Sequence, residues 1–522
     1  MTFLSLIYGV FLLSVLGIYW SAQTQTQRLW ALVVTSLLFY AALPTPGGPS
    51  PVYSLLLPIF SIFLLMTSAV VNFWLGRSLS QRSALALHGD PNLSEAEWQF
   101  AQEEWNYRRT WILASGIVFN VVLLLSFKYT PFFLRTIGTL MGSSVVLTTA
   151  DAIAATVIPP LGLSFFCFEC IAYLIDIYRG APAAPQFLKF AAYKFFFPKL
   201  ISGPITRYHH LAIQFKSVTM PTPDRVAEGL WLIACGALKK GLVADNLGRY
   251  VDLVFNPDTG NLLRAGSGDL GLATAAYGLQ LYLDFSGYVD VALGSALLLG
   301  LNLPQNFDFP YCTTSIADFW RRWHITLGDW LRNYLYFPLG GSRQGLWRTC
   351  LNLMMVMLVA GIWHGANWGF IVWGALHGLA LVVHRLTDSQ SRRRAWLSTW
   401  WLSLPGMAIA WFVTQLVVFL TWIFFRLPNL KDSLWVVSHL WGQTADAQFV
   451  QKIYVETLHL GRPTIALLLL AIMVIMGLLY QSRQILKLQL NWPIKLFLVP
   501  LCLYAVWQLG PEGTLPYIYF DF

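Results

Sequence analysis

ADFWRRWHITLGDWLRNYLYFPLGG, Ala317–Gly341, followed by LVAGIWHGANW, Leu358–Trp368, is the stretch from which the rest of the chain can be read. Placed at about 100° per residue from Asp318 to Leu335, the residues Trp320, Trp323, Leu327, Trp330, Leu331, Tyr334 and Leu335 share one arc. Arg322, Asp329 and Asn333 fall opposite. The spacing predicts one amphipathic helix. His324 stands at the edge of its apolar arc beside Arg321, Gly328 and Arg332, on a boundary between apolar packing and polar groups where water or a neighbour can share its role.

His364 closes the almost purely apolar run Leu351–Trp363, whose length suits a membrane span rather than a soluble helix. Gly365, Ala366 and Asn367 follow before apolar sequence resumes at Trp368. Gly361, Gly365 and Gly369 recur every four residues, and Gly374 and Gly378 repeat the spacing, which lets helix backbones approach closely. His364 is therefore expected at a tightly packed break between two spans. A polar side chain there is tolerated where protein buries it or a wet cavity receives it.

The composition makes this a polytopic membrane protein. Its 522 residues are 56% hydrophobic and 11% charged, with a mean hydropathy of +0.57. Apolar runs from Thr2–Trp20 to Ile494–Gln508 predict roughly ten to twelve spans at ~20 residues each. The first run reads as a retained span, because more spans follow it. The whole chain, 1–522, reads as a single membrane-embedded domain. The net charge of +9 does not call for nucleic acid, since the excess sits in loops around Arg77–Arg109, Arg392–Arg394 and Arg483–Lys487. These are expected in the cytosol, and the Leu427–Pro463 loop outside.

Polar groups inside apolar sequence narrow the search. In Gly76–Arg109, Ser94 and Glu97 have capping-box spacing and Trp98, Ala101 and Trp105 make one face, predicting a cytosolic amphipathic helix on the headgroups. Ile158–Gly180 carries Glu169 and Asp176 among apolar residues. Beyond it, Lys189, Lys194 and Lys199 alternate with phenylalanines up to Ser202-Gly203-Pro204, which reads as an interfacial or re-entrant element with snorkelling lysines. Cys167 and Cys170, one helical turn apart, read as packing residues. His209-His210 has no further ligand at metal spacing and reads as a solvated loop. Asp284 and Tyr288 share a face in Leu270–Leu301. A mid-membrane carboxylate needs a partner, here an Arg or Tyr, or a role at a site.

LDFSGYVDVALGSALLLGLNLPQNFDFPYCTTSIADFWRRWHITLGDWLRNYLYFPLGGSR, with GIWHGANWGFIVWGALHG, resembles the membrane-bound O-acyltransferases, nearest the bacterial alginate O-acetylation and teichoic-acid D-alanylation branch. LGLSFFCFECIAYLIDIYRG, FFPKLISGPITRY and the ending PYIYFDF look like further motifs of that branch, so the core motifs cover 159–377. The resemblance implies an all-α, ring-like membrane fold of transmembrane, re-entrant and interfacial helices around a central tunnel. It also implies that His364 is the family's central histidine and His324 its second.

Acyl transfer from a thioester to a sugar hydroxyl requires removing a weakly acidic proton, work suited to a neutral imidazole. This assigns His364 as base or proton shuttle and His324 as a second acid/base or orienting group. Supporting roles fall to Asp318, Trp320, Trp323, Arg332, Asn333, Trp363, Asn367, Asp284 and Tyr288, while Arg321 and Arg322 suit a phosphorylated or carboxylated ligand. No bound cofactor or metal is expected; the donor, acetyl-CoA or an acyl carrier, is a substrate. The reaction expected is acyl, in the first place acetyl, transfer from a cytosolic thioester toward an extracytoplasmic polysaccharide. Membrane lipid surrounds the chain in a bacterial inner membrane, and a separate extracytoplasmic acyltransferase or polymer-binding protein is expected as partner. The alternatives are D-alanyl transfer to a wall polymer and a proton-coupled transporter, although no internal repeat supports the latter. No Gly-x-Ser-x-Gly motif points to a serine nucleophile.

The charge pattern makes a topological prediction. Single cysteines at Ser94 and Gln443, in a background without native cysteines, are expected to label from opposite faces of the membrane. Labelling from one face overturns the orientation.

Overall fold

The computed structural model describes residues 5–43, 51–80, 95–511, 513 and 515–518. Among them there is no β-strand, and eight helices are long and apolar enough to cross a membrane: Leu56–Ser80, Glu103–Lys128, Ser267–Leu298, Gly345–His364, Trp368–Arg393, Leu404–Arg426, Arg462–Ile485 and Trp492–Leu509. Leu6–Ser21 and Ser144–Thr156 are shorter apolar helices. The chain is thus an all-α polytopic membrane protein. It divides into two compact units, one of Met1–Pro221 with Ser295–Pro304 and one of Thr222–Gly294 with Gln305–Phe522.

In the first unit, Thr24 caps the helix Gln25–Ala41 through a reciprocal bond with Gln27, so the turn after Leu6–Ser21 is short and satisfied. Buried amides join Pro51–Ser80 to Glu95–Lys128: Asn120 donates to Asn72 at 2.8 Å and Asn72 to Asn120 at 3.2 Å. Residues 95–109 are the opening turns of a helix that continues into a span, so this part of Gly76–Arg109 is not a separate surface helix. Ser94 and the side chains of Glu97, Trp98 and Ala101 lie outside the described residues.

Two of the three lysines expected to snorkel do not, while Lys189 is half-buried. Lys194 and Lys199 are 1% and 3% exposed and converge on Glu169. Lys199 Nζ lies 2.7 Å from both carboxylate oxygens, Lys194 Nζ lies 3.0 Å from Oε2, and the Thr206 N–H donates to Oε1 at 3.1 Å. The sequence shows each lysine next to phenylalanines but not the carboxylate that reaches them from the preceding helix, Leu163–Tyr178. Cys167 and Cys170 on that helix are buried free thiols, as packing residues would be. His209 and His210 belong to the short helix Tyr208–Ala212, His210 exposed and His209 half-buried.

The helix Ser267–Leu298, whose residues up to Gly294 belong to the second unit, is the most buried of the eight. At its first turn Asp269, fully buried, accepts from Arg462 at 2.7 and 2.9 Å and from the Tyr454 hydroxyl at 2.5 Å. These bonds tie down the Leu427–Pro463 segment, which is folded into Leu430–Ser438, Ala447–Val450 and a wide π turn at Gln451–Thr457. Further along the same helix, Asp284 pairs with Lys240 at 2.5 Å, and Lys240 also meets Asp245 at 2.8 Å. The partner of Asp284 is therefore a lysine rather than the expected Arg or Tyr. It is delivered by the π turn Leu238–Ala244, which apolar periodicity does not reveal.

Removing one member of a buried ion cluster strands the others, at a cost of about 3–5 kcal/mol, whereas replacing all of them by apolar groups is often neutral. Glu169→Leu is expected to lower the melting temperature of the purified protein in detergent, and Glu169→Leu with Lys194→Met and Lys199→Met to recover most of the loss. A parental melting temperature for Glu169→Leu alone would show that the cluster does not hold the unit together.

Candidate active site

The predicted helix from Asp318 to Leu335 is broken at its histidine. It runs as Ile316–Arg322, then Ile325–Leu331, then a π turn at Arg332–Tyr336. Trp323 is extended, and His324 takes φ 43°, ψ 54°, a left-handed conformation uncommon outside glycine. Asn306 explains how the turn is held. Its carbonyl accepts the Ile325 N–H at 2.9 Å, and its side-chain Oδ1 accepts from the Thr326 N–H at 3.1 Å and the Thr326 hydroxyl at 2.9 Å. A further bond, Asp308 N–H to the Arg322 carbonyl at 3.0 Å, fastens the preceding helix to the same loop.

The arc read from the sequence is right about burial for five of its seven residues, Trp320 and Leu335 being half-buried, and wrong about continuity. Trp323, Leu327, Trp330, Leu331 and Tyr334 are all buried, because the pieces on both sides of the break enter one core. The turn moves His324 off the expected boundary: it is 1% exposed, with Nδ1 3.2 Å from Asn306 Oδ1 and its ring edge-on to Phe285 at 4.9 Å. His324 lies outside the eight spans. Burial pushes its imidazole down to about 3, so it is neutral at physiological pH.

His364 stands where expected, as the last residue of Gly345–His364 before an extended Gly365. Asn367 is the N-cap of the next helix, Trp368–Arg393, and its side chain accepts the Trp368 N–H at 3.2 Å. The two helices meet backbone to backbone. A Cβ at Gly361 would lie 2.3 Å from the Phe370 carbonyl oxygen, and one at Gly374 2.4 Å from that of Met357. His364 is 3% exposed and edge-on to three rings: Trp363 at 4.9 Å, Trp373 at 5.1 Å and Phe425 at 5.0 Å. His324 lies 6.1 Å from the same Trp363 ring, so both candidate histidines rest against one indole.

The remaining candidates divide. Trp323 stacks on Phe319 at 5.6 Å and meets Trp422 at 5.0 Å, walling the site. Trp320 lies 5.7 Å from Trp373. Asp318 and Arg322 pair with each other at 3.1 Å, and Arg322 lies over Tyr480. Arg332 pairs with Asp329 at 2.7 Å, and Asn333 donates to the Asp329 carbonyl. Arg321 is exposed. Asp284 and Tyr288 belong to a second cluster: Asp284 also accepts the Ile518 N–H at 3.0 Å, Lys240 donates to the Pro516 carbonyl at 3.1 Å, and Tyr288 packs on Tyr517 at 5.2 Å. Neighbouring Phe285, rather than Asp284, reaches His324.

Several residues at this site escape the sequence reading. Asn306 was visible only as a polar residue in a Pro-containing loop. Trp373, Trp422 and Phe425 look like ordinary apolar residues of spans. His377, fully buried and 4.9 Å from the Trp373 ring, bonds Thr421 through Nε2 at 2.8 Å. Its signal was a histidine next to Gly378 on the helix that packs against His364.

The model of the membrane-bound O-acyltransferase family matches residues 159–424. The chain is 34% identical to a probable alginate O-acetylase of Azotobacter vinelandii over 82% of this chain and 74% of that protein. It is 32% identical to a peptidoglycan O-acetyltransferase of Helicobacter pylori over 88% and 85%. With a probable alginate O-acetylase of Pseudomonas putida it shares 38% identity over 64% of each chain. A buried pair of histidines on one indole, a glycine-closed break between spans and this extended likeness converge: the chain belongs to the membrane-bound O-acyltransferase family and is an O-acyltransferase.

Proposed function

We propose that this enzyme O-acetylates hydroxyl groups of an extracytoplasmic polysaccharide in a bacterial inner membrane, drawing the acetyl group from a cytosolic thioester, acetyl-CoA or an acyl carrier. The observation that carries the reading is the placement of two buried imidazoles, His324 and His364, against the indole of Trp363. The relatives matched over most of the chain are named for O-acetylation. Likeness to a teichoic acid D-alanyltransferase of Streptococcus thermophilus is 28% over 53% of the chain, which favours acetyl over D-alanyl transfer.

The chemistry suits a neutral imidazole. As the hydroxyl oxygen bonds to the thioester carbonyl carbon, its proton passes to imidazole nitrogen; the carbon–sulfur bond breaks, and the departing thiolate takes up a proton. The ester and a free thiol result, with no net change of charge. His364 fills the base role, its ring orientation fixed by Trp363, Trp373 and Phe425. His324 is the second proton-handling group. Asp284 and Glu169, the buried carboxylates on which a proton-coupled transporter would draw, are each engaged by lysines. The acceptor polymer needs a separate extracytoplasmic partner to present it; acylation of polymer by the purified protein alone at the whole-cell rate would remove that requirement.

His364→Ala is expected to lower acetyl transfer in membranes by roughly 10²–10⁴-fold, the contribution of a general base, with donor binding retained. Because His324 is buried rather than on a wet boundary, His324→Ala is expected to lose turnover on a similar scale, with little rescue by solvent. The measurement is acetyl ester formed on polymer, at matched amounts of folded variant. Near-parental turnover in His364→Ala would return that residue to a packing role.

A further inference from the structure

The Asn306 side chain has one orientation open to it. Its Oδ1 lies 3.1 Å from the Thr326 N–H, a group that can only donate, so an amide turned the other way would set donor against donor. The same oxygen receives the Thr326 hydroxyl and faces His324 Nδ1 at 3.2 Å. Since that oxygen can only accept, the Nδ1 of His324 carries the ring proton and Nε2 carries the lone pair. Asn306 is 1% exposed, and its backbone carbonyl holds the Ile325 N–H as well, so one residue sets both the left-handed turn and the tautomer.

We propose that Asn306 is a positioning residue for acyl transfer, presenting His324 to the reaction as the Nδ1–H tautomer with Nε2 as its proton acceptor. This rests on the proposed role of His324. The rings packed on the imidazole, Phe285 and Trp363, carry no charge. Of the charged groups on the adjoining elements, Arg322 pairs with Asp318, Arg332 with Asp329, and Asp308 accepts from Gln484. His364 lies on the Trp363 ring that His324 also meets. A neutral amide oxygen fixes the tautomer without adding the charge that would make imidazole a stronger base.

The test compares Asn306→Asp, Asn306→Ala and His324→Ala in membranes, with pH profiles of kcat and KM for the thioester. Asn306→Asp keeps the oxygen acceptors but sets a carboxylate against Nδ1–H, so the acid limb of kcat is expected to move up by a pH unit or more, with KM changed less than threefold. Asn306→Ala is expected to lose at least tenfold in kcat; if it does not fold, Asn306→Asp alone decides. An Asn306→Asp enzyme with the parental pH profile, while His324→Ala is impaired, overturns the inference and leaves Asn306 as a clamp on the turn. Parental turnover in His324→Ala overturns the role of His324 itself and the inference with it.

Discussion

The backbone contact between Gly361 and Gly374 is the constraint on which the candidate site depends. Any side chain at either position would meet a carbonyl oxygen at about the distance of a covalent clash, so the helices Gly345–His364 and Trp368–Arg393 can close only because both residues lack a Cβ. Closure brings Trp373 and His377, on the second helix, beside His364 at the end of the first. The break that follows begins at the buried Gly365 and comes out through the half-buried Ala366 and Asn367 to the exposed Trp368. The position of His364 follows from two absent methyl groups.

A second constraint complements it. An L-residue in left-handed backbone is strained, and such strain persists only where neighbours over-determine it. At His324 that determination comes from Asn306 and Thr326 together. One histidine is thus placed by close packing and the other by hydrogen bonds to a loop, and both arrive at the ring of Trp363.

Much of this was legible before any coordinates. Hydropathy named the class, the glycine spacing foretold the tight hairpin, and the sudden polarity after Trp363 foretold the break. What escaped was whatever depends on groups distant in the chain. The apolar period from Trp320 to Tyr334 continues across the turn because the same core receives both halves, so periodicity cannot register a break. Lys194 and Lys199 read as interfacial because snorkelling is the usual fate of a membrane lysine, and nothing near them in sequence announces Glu169. Asn333 and Asn367 attracted notice by chemical type, yet one satisfies a helix carbonyl and the other caps a helix. Asn306, in an irregular loop, offers no period at all.

The groups around Lys240 differ in how far along the chain each lies. Asp245 lies in the following turn of the same segment and meets the ammonium at 2.8 Å. Asp284 follows 44 residues later. The Pro516 carbonyl comes 276 residues after the lysine it receives, and the Ile518 N–H 234 residues after Asp284. The ammonium is thus met by a carboxylate from its own segment, by one from a separate helix and by a backbone carbonyl far along the chain. Asp245 is the nearer of the two counter-ions in sequence, and Asp284 the one that ties Lys240 to a second helix.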